Sequence, residues 1–370
     1  MSALRVALDV TAVPEQLTGA GVYVRELARA LVQRDDVALE LVTRRRDAAR
    51  WEALAPAAVR AVAPGNRVAR LAFGELALGR ALRRDAPELL HGPHYTMPRG
   101  GELPVVVTIH DLTLVEHPEW HEASKVRYFR RAIGHAARHA ALLVCVSEHT
   151  AQRLRARYSP ACPVVVVPHG VDHERFRPEE PAPGHDAAAL APLAPGERYV
   201  LFLGTLEPRK NLVALVEAFD RLAANDRELR LVLAGRAGWG NRPLEEAIDR
   251  SGHRARIHRL GYVSDAAAPA LLRNAAAVAY PSKEEGFGLP ALEALACGAP
   301  LVTSADSVMA ELAGTAAWSA DATPGALAEA LSAALAAPGA RRAEGIARAA
   351  EFTWEQSAAG HVACYRDALA

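Results

Sequence analysis

Lysine is nearly absent from this chain. Lysine and arginine together number 43 in 370 residues, yet lysine stands only at Lys125, Lys210 and Lys283. The bias, like the abundance of alanine, reads as genome composition, but it makes any lysine inside a motif conspicuous. Excess charge is absent too, since 43 acidic residues balance the 43 basic ones. Such a chain has no general basic field for nucleic acid, which is not an expected partner, although local patches stay open. Cysteine is scarce and scattered (Cys145, Cys162, Cys297, Cys364), with no C-x-x-C pair. That spacing argues against a zinc site or a disulfide framework and fits a reducing cytoplasm. No apolar run approaches the ~20 residues of a spanning helix. The first residues lead straight into a strand, so no signal peptide is expected. What is present, 51% apolar and 23% charged residues, is globular composition. The length suits two domains.

Along the chain, Leu4 to Val10 reads as a buried strand and Thr18 to Gly21 (T-G-A-G) as a turn. An amphipathic helix then runs through about Val32, and Val37 to Val42 is the next strand. This is a β-α-β start with glycines at the turn, as dinucleotide-binding folds have. The match to G-x-G-x-x-G is weak, because Gly19 and Gly21 are followed by Val24 at the third position. NAD binding stays open as a rival, with Glu40 near the acidic distance. Further strand-like runs lie at Val59–Val62, Glu88–His91, Pro104–Ile109, Ala141–Val146 and Val164–Val167, with helical patterns at Arg67–Arg84 and Ser124–Ala140. Alternation of this kind argues for a doubly wound parallel sheet, whose ligands bind beyond the carboxyl ends of strands. Phe176 to Arg198, rich in proline and alanine, reads as an interdomain connection. A second α/β series follows, with strands at Tyr199–Leu203, Leu229–Ala234, Arg256–Leu260, Ala276–Tyr280 and Pro300–Thr303. Its helices fit Leu212–Ala224, Pro243–Ser251, Ala267–Arg273, Pro290–Cys297 and Pro324–Ala336, and a last helix covers about Trp354–Leu369.

The most informative stretch is Ser282 to Pro300, S-K-E-E-G-F-G-L-P-A-L-E-A-L-A-C-G-A-P. Gly286 and Gly288 allow a tight turn and a close approach to a ligand. Pro290 suits the first turn of a helix, and Gly298 with Pro300 stops it. The helix start offers amides and a positive dipole end to an anion. Glu285 and Glu293 frame it. In Gly204 to Leu212 (G-T-L-E-P-R-K-N-L), Arg209 and Lys210 are adjacent cations at a helix opening. Fixed cations stabilise a diphosphate most as charge builds on a leaving oxygen. Each motif also has a plain reading as a turn, a cap or a solvated pair.

Together these strings resemble retaining glycosyltransferases of family 4, whose E-x7-E signature matches Glu285 to Glu293. V-V-P-H-G-V-D at Val166–Asp172, G-Y-V-S-D at Gly261–Asp265 and T-I-H-D-L at Thr108–Leu112 resemble other family segments. The resemblance implies an α/β GT-B fold, two facing Rossmann-like domains with an interdomain cleft. Residues 1–180 with a helix at 354–370 would form the acceptor side, 181–198 a linker, and 199–353 the nucleotide-sugar domain. Glu293 would bind ribose hydroxyls and Glu285 sugar hydroxyls. Backbone amides at Phe287, Gly288 and Leu289 would face the phosphates, with Arg209 and Lys210. Thr205 stands where many members carry arginine, so Arg209 is expected to supply that contact. Gly19 and Gly21 would approach the diphosphate. His110 would lie by the reacting sugar, with His94, Tyr95 and Asp111 on the acceptor side. A core histidine at His110 and a turn cap at Asp111 remain the alternatives.

The implied activity is metal-independent, retaining transfer of a hexose, first mannose, from a nucleoside-diphosphate sugar. GDP-mannose is the first donor and a UDP-hexose the second, and no cofactor is expected. No two aspartates are two positions apart, so the D-x-D motif with which many sugar transferases hold a divalent cation is missing. The acceptor would be a hydroxyl of a glycan, glycolipid or small molecule. A non-catalytic sugar-nucleotide binding subunit and an NAD-dependent oxidoreductase are the rivals. The basic runs Arg44–Arg46 and Lys125–Arg131 read either as solvated faces or as peripheral contacts with anionic lipid.

Overall fold

The computed structural model describes the chain except residues 1–2, 18, 57, 84–86, 183, 187–189, 191–192 and 194–195. It divides into two compact units. Unit 1 is Met1–Gly170 with Trp354–Ala370, and unit 2 is Val171–Thr353.

Unit 1 is built on a sheet of seven strands: β1 (Leu4–Asp9), β2 (Val37–Arg44), β3 (Val59–Ala63), β4 (Leu89–Gly92), β5 (Val105–Ile109), β6 (Leu142–Cys145) and β7 (Val164–Val166). The order is β3-β2-β1-β4-β5-β6-β7, and every pair is parallel. Strands β4, β5 and β6 are buried throughout, as parallel strands covered on both faces must be. The order reverses between β1 and β4, the switch point beyond which such sheets bind ligands. One expectation fails locally. Gly19 and Gly21 lie inside the first turn of the helix Gly19–Val32 and not in a turn before it, and neither has a left-handed backbone. Thr18 lies outside the described residues.

The helix Trp354–Asp367 belongs to unit 1 and buries Trp354, Ser357, His361, Val362 and Tyr365. Its close approach is set by Gly360, where a Cβ would meet Val167 Cγ1 at 2.9 Å. A chain of five buried hydrogen bonds ties it in, and the donors follow from chemistry. His361 Nδ1 lies 2.7 Å from the Ser357 carbonyl, so it donates. Burial drives the His361 imidazole down to about 4, so the ring is neutral and its Nε2 accepts from Tyr23 Oη at 2.9 Å. Tyr23 Oη then accepts from Thr108 Oγ1 at 2.9 Å. Thr108 in turn accepts from His91 Nε2 at 2.8 Å. Burial also holds His91 neutral, so its Nδ1 accepts from Tyr365 Oη at 2.8 Å. All five bonds point one way, from Tyr365 to Ser357, and both ends lie on the same helix.

Unit 2 carries six strands: β8 (Arg198–Leu203), β9 (Leu229–Ala234), β10 (Ile257–Gly261), β11 (Ala277–Tyr280), β12 (Leu301–Ser304) and β13 (Ala317–Ala320), in the order β10-β9-β8-β11-β12-β13. All pairs are parallel, and the switch point lies between β8 and β11. Strand β13 and the helices Val308–Ala313 and Arg342–Ala350 go beyond the elements expected from sequence. The division between units falls after Gly170, where the sequence reading put it at 180. Described residues of the expected linker pack into unit 2. Asp186 is buried and takes a two-pronged ion pair from Arg273 at 2.6 and 2.9 Å.

Candidate functional site

In unit 2 the two strands at the switch point deliver the two motifs side by side. After β8, Gly204 turns with φ 157° and Gly235 presses against it, since a Cβ on Gly235 would sit 1.9 Å from the Gly204 carbonyl oxygen. Glycine is required at Gly235 by that contact. The chain then forms a short 3-10 turn, Pro208–Lys210, and Asn211 adopts a left-handed backbone, φ 56°, before the helix Leu212–Ala223. Asparagine tolerates that conformation better than most residues. The turn aims Arg209 and Lys210 at the loop after β11. Lys283 N–H donates to the Arg209 carbonyl at 2.8 Å, and Arg209 Nη1 donates to the Glu284 carbonyl at 3.0 Å.

Glu285 is the centre of this site. Its carboxylate accepts from Arg209 Nη1 at 2.6 Å and from Lys210 Nζ. Arg209 Nε also pairs with Glu207. Glu207, Lys210 and Glu285 are each less than a tenth exposed. Burial pushes the Glu285 carboxyl up, but the Arg209 and Lys210 charges outweigh it and hold the group at about 2. Burial and the neighbouring Arg209 lower Lys210, while Glu285 and Glu207 oppose that fall. Two cations and two carboxylates thus share one desolvated cluster, in which charges interact far more strongly than in water.

The helix Leu289–Ala296 starts from Gly288, whose φ is 101° and whose Cβ would meet Met309 Cγ at 2.7 Å. Phe287 and Leu289 are buried beside it. The helix ends in the glycine motif expected from sequence. Gly298, φ 69°, donates to the Leu295 carbonyl and Ala299 to the Ala294 carbonyl, the Schellman pattern. Glu293 projects half-buried from this helix. Burial, then the nearby Glu293 charge, raises the Tyr280 hydroxyl well above its ordinary value. Thr205 is half-buried and packs by its methyl near Gly238, where a Cβ would lie 3.1 Å from it. Among the described residues the hydroxyls of Tyr280, Ser282 and Ser304 are buried without a hydrogen-bond partner.

In unit 1 a second group gathers beyond β4 and β5. The His110 ring lies 5.7 Å from His94 and 5.6 Å from Tyr95. Tyr95 holds a left-handed backbone, φ 62°, a costly conformation for a bulky residue. Its hydroxyl accepts the Asp111 N–H at 3.1 Å. His110 Nε2 donates to the Pro93 carbonyl at 2.8 Å, and burial lowers its pKa. The neutral ring therefore keeps Nδ1 as an acceptor. Asp111 Oδ1 accepts from the Thr113 N–H and hydroxyl at 3.0 and 2.9 Å, the turn-capping geometry that was its alternative reading. Gly19 and Gly21 lie on the helix that carries Tyr23, whose ring meets the His110 ring at 5.0 Å. Sequence reasoning missed Glu207, Tyr23 and His361, and read His91 only as the end of a strand. Glu207 had one signal, its place two residues before Arg209. Tyr23, His91 and His361 also reach partners 85 to 338 positions away that only the fold brings near.

Residues 17–175 match the family model described as Glycosyltransferase Family 4. Residues 190–351 match the model described as Glycosyl transferases group 1. The chain is 31% identical over 291 residues to O-antigen chain mannosyltransferase B of Escherichia coli, covering 77% of this chain and 76% of that one. It superposes on a sucrose-phosphate synthase from Thermosynechococcus elongatus with a TM-score of 0.77 at 20% identity, covering 98% of each chain. The structure of Anabaena HepE in complex with UDP and glucose gives 0.74 at 18% identity, covering 98% of this chain and 99% of that one. At such identities the solved structures speak for the fold alone.

Proposed function

The chain belongs to the glycosyltransferases of family 4 and group 1 and has the GT-B fold of two Rossmann-like domains; from that premise we propose that it moves a hexose, first mannose, from a nucleoside-diphosphate sugar to an acceptor hydroxyl with retention and without a metal. The observation that carries this reading is the convergence of Arg209 and Lys210 on Glu285 at the β8–β11 switch point. A desolvated pair of cations is suited to a diphosphate leaving group, and the start of the helix Leu289–Ala296 adds amides and a positive dipole end. In this reading Arg209 and Lys210 grip the diphosphate, and the amides at Phe287, Gly288 and Leu289 face it. Glu285 turns part of its hydrogen bonding to sugar hydroxyls, and Glu293 takes the ribose. His110, neutral with Nδ1 as acceptor, receives a sugar hydroxyl. Glu285 is bound to two cations, which makes it a poor nucleophile. A front-face route is therefore preferred, in which the departing phosphate oxygen takes the acceptor proton as the new bond forms.

Mannose rests on the name of the Escherichia coli relative. A UDP-hexose is the second reading; UDP and glucose are the ligands named for the Anabaena structure. Thermal-shift titration without metal, against GDP, UDP and ADP and their sugars, decides between them, because a ligand of the folded state raises the melting temperature. Stabilisation by GDP and GDP-mannose alone is expected. Stabilisation by UDP alone removes mannose, and none by any of them overturns the donor site.

A further inference from the structure

Tyr23 is fully buried in unit 1, and it is where the chain of buried hydrogen bonds meets His110. Its ring lies 5.0 Å from the His110 ring, edge to face at 77°, nearer than His94, Tyr95 or His169 come. The His169 ring also lies against Tyr23, 4.6 Å away and tilted by 33°. The far end of the tyrosine is pinned by its hydroxyl, which donates to His361 Nε2 and accepts from Thr108 Oγ1, each at 2.9 Å. Thr108 and His110 stand two positions apart at the carboxyl end of β5, the spacing that puts side chains on one face of a strand. One tyrosine thus meets both. Phenylalanine would fill the same space. The buried hydroxyl adds direction instead of area, because a satisfied buried network rigidifies what it joins. Among the described residues the His110 ring makes one hydrogen bond, from Nε2 to the Pro93 carbonyl. A single bond lets a ring pivot about it, and the wall of neighbouring rings is what stops the pivot.

We propose that Tyr23 is a positioning residue for sugar transfer: it braces the His110 ring so that Nδ1 meets the substrate at a fixed angle. The role of His110 rests on the glycosyltransferase reading, and the brace itself does not. A misplacement of about 1 Å at a reacting group costs about a hundredfold in rate. A residue that acts through His110 therefore changes kcat and leaves donor affinity alone, since the cations assigned to the donor lie in unit 2. The same packing keeps His110 dry. The groups that face it are Tyr23 from the helix Gly19–Val32, His94 and Tyr95 after β4, Asp111 beside it and His169 after β7, with His91 and His361 near enough to feel its charge. Burial holds these other histidines neutral, and Asp111 is the one acidic residue among the groups named. Burial lowers the pKa of His110 more than the Pro93 bond and Asp111 raise it. Once Tyr23 loosens, water reaches the ring and its pKa rises toward the ordinary value of about 6.5.

Tyr23→Phe and Thr108→Val each remove one half of a bond in the brace and keep the shape of the side chain. The probe is GDP-mannose, or UDP-glucose where UDP is the nucleotide that stabilises the chain, and release of nucleoside diphosphate is the readout. Both variants are expected to lower kcat about tenfold or more and to leave the donor KM unchanged. Both are also expected to move the acid limb of the pH profile up toward about 6.5. Tyr365→Phe removes a hydroxyl at the other end of the same chain of bonds, where its partner is His91. It is the control, expected to melt lower with kcat and acid limb as in the wild type. Wild-type values in Tyr23→Phe and Thr108→Val overturn the proposal, as does an equal loss in Tyr365→Phe, which reduces the effect to helix docking. Thr108→Val decides the matter alone where Tyr23→Phe does not fold. If the wild type releases no nucleoside diphosphate, the transfer reading is what fails. Titration of His110 followed by NMR of its ring protons needs no turnover, and an unchanged titration in the variants overturns the brace by itself.

Discussion

Arg209 and Lys210 hold Glu285 from two directions, so removing one cation leaves the carboxylate a partner. Lys210→Ala is therefore expected to fold, at a cost of about 1–3 kcal/mol for the lost buried charged bond, while transfer falls by a hundredfold or more, the scale of a lost transition-state donor. Glu293→Ala, at a half-exposed helix position, is expected to abolish transfer with little change in melting temperature. Release of nucleoside diphosphate and a melting curve measure both, and near-normal turnover in either variant would sink the assignment. At this scale much was legible. The string showed the residue types of Arg209, Lys210 and Glu285, which the structure brings together; the role given to Glu293 is a proposal. Burial is what the string did not carry. Nothing in L-E-P-R-K says that Glu207 folds inward to pair with Arg209.

The helix Trp354–Asp367 is docked by hydrogen bonds that all run in one sense, so every link depends on the next. Tyr365→Phe removes the first donor and leaves His91 Nδ1 buried without one. The expected loss is about 1–3 kcal/mol for that orphaned acceptor, seen as a lower midpoint in urea unfolding. An unchanged midpoint would show that His91 is satisfied otherwise. Most strands and the long helices were readable from apolar runs and capping residues. The exceptions share a cause. Strand β13, A-W-S-A, is four residues at a sheet edge, too short for its period to show. Gly19 and Gly21 looked like a turn because glycine usually marks one, but local helix formation absorbed them. The stretch at 176–198 read as a linker because the Asp186–Arg273 pair joins residues 87 positions apart.

For the whole molecule, the two units are expected to answer acid differently. In unit 1, burial lowers His91, His110, His169 and His361. The unfolded chain then binds protons below its histidine pKa of about 6.5 that the folded unit refuses, so stability falls as pH drops through that value. The loss grows by on the order of 1 kcal/mol per pH unit for each histidine while the pH lies between its unfolded and folded pKa, and several such groups together weigh heavily on a marginally stable domain. In unit 2 the sign check concerns Glu285, whose folded pKa of about 2 lies below the unfolded carboxylate. Its contribution is complete above about pH 4.5 and fades only as pH falls toward the folded value. Acid titration followed by tryptophan fluorescence and circular dichroism should therefore show two transitions, unit 1 first. A single transition below pH 4 would contradict the histidine argument.

The ends of each unit also meet. Val171 N–H donates to the Phe352 carbonyl at 3.2 Å within unit 2, and the His169 and Trp354 rings lie 5.8 Å apart within unit 1. Unit 2 is thus an insertion in the covalent sequence of unit 1. On a ribosome, unit 1 is begun first and completed last. Its neutral histidine His91 waits, without the tyrosine that satisfies it, until the whole of 171–353 has been made. Unit 2, contiguous in sequence, is free to fold in that interval, although synthesis otherwise favours the N-terminal domain. The order of assembly would then run against the order of translation.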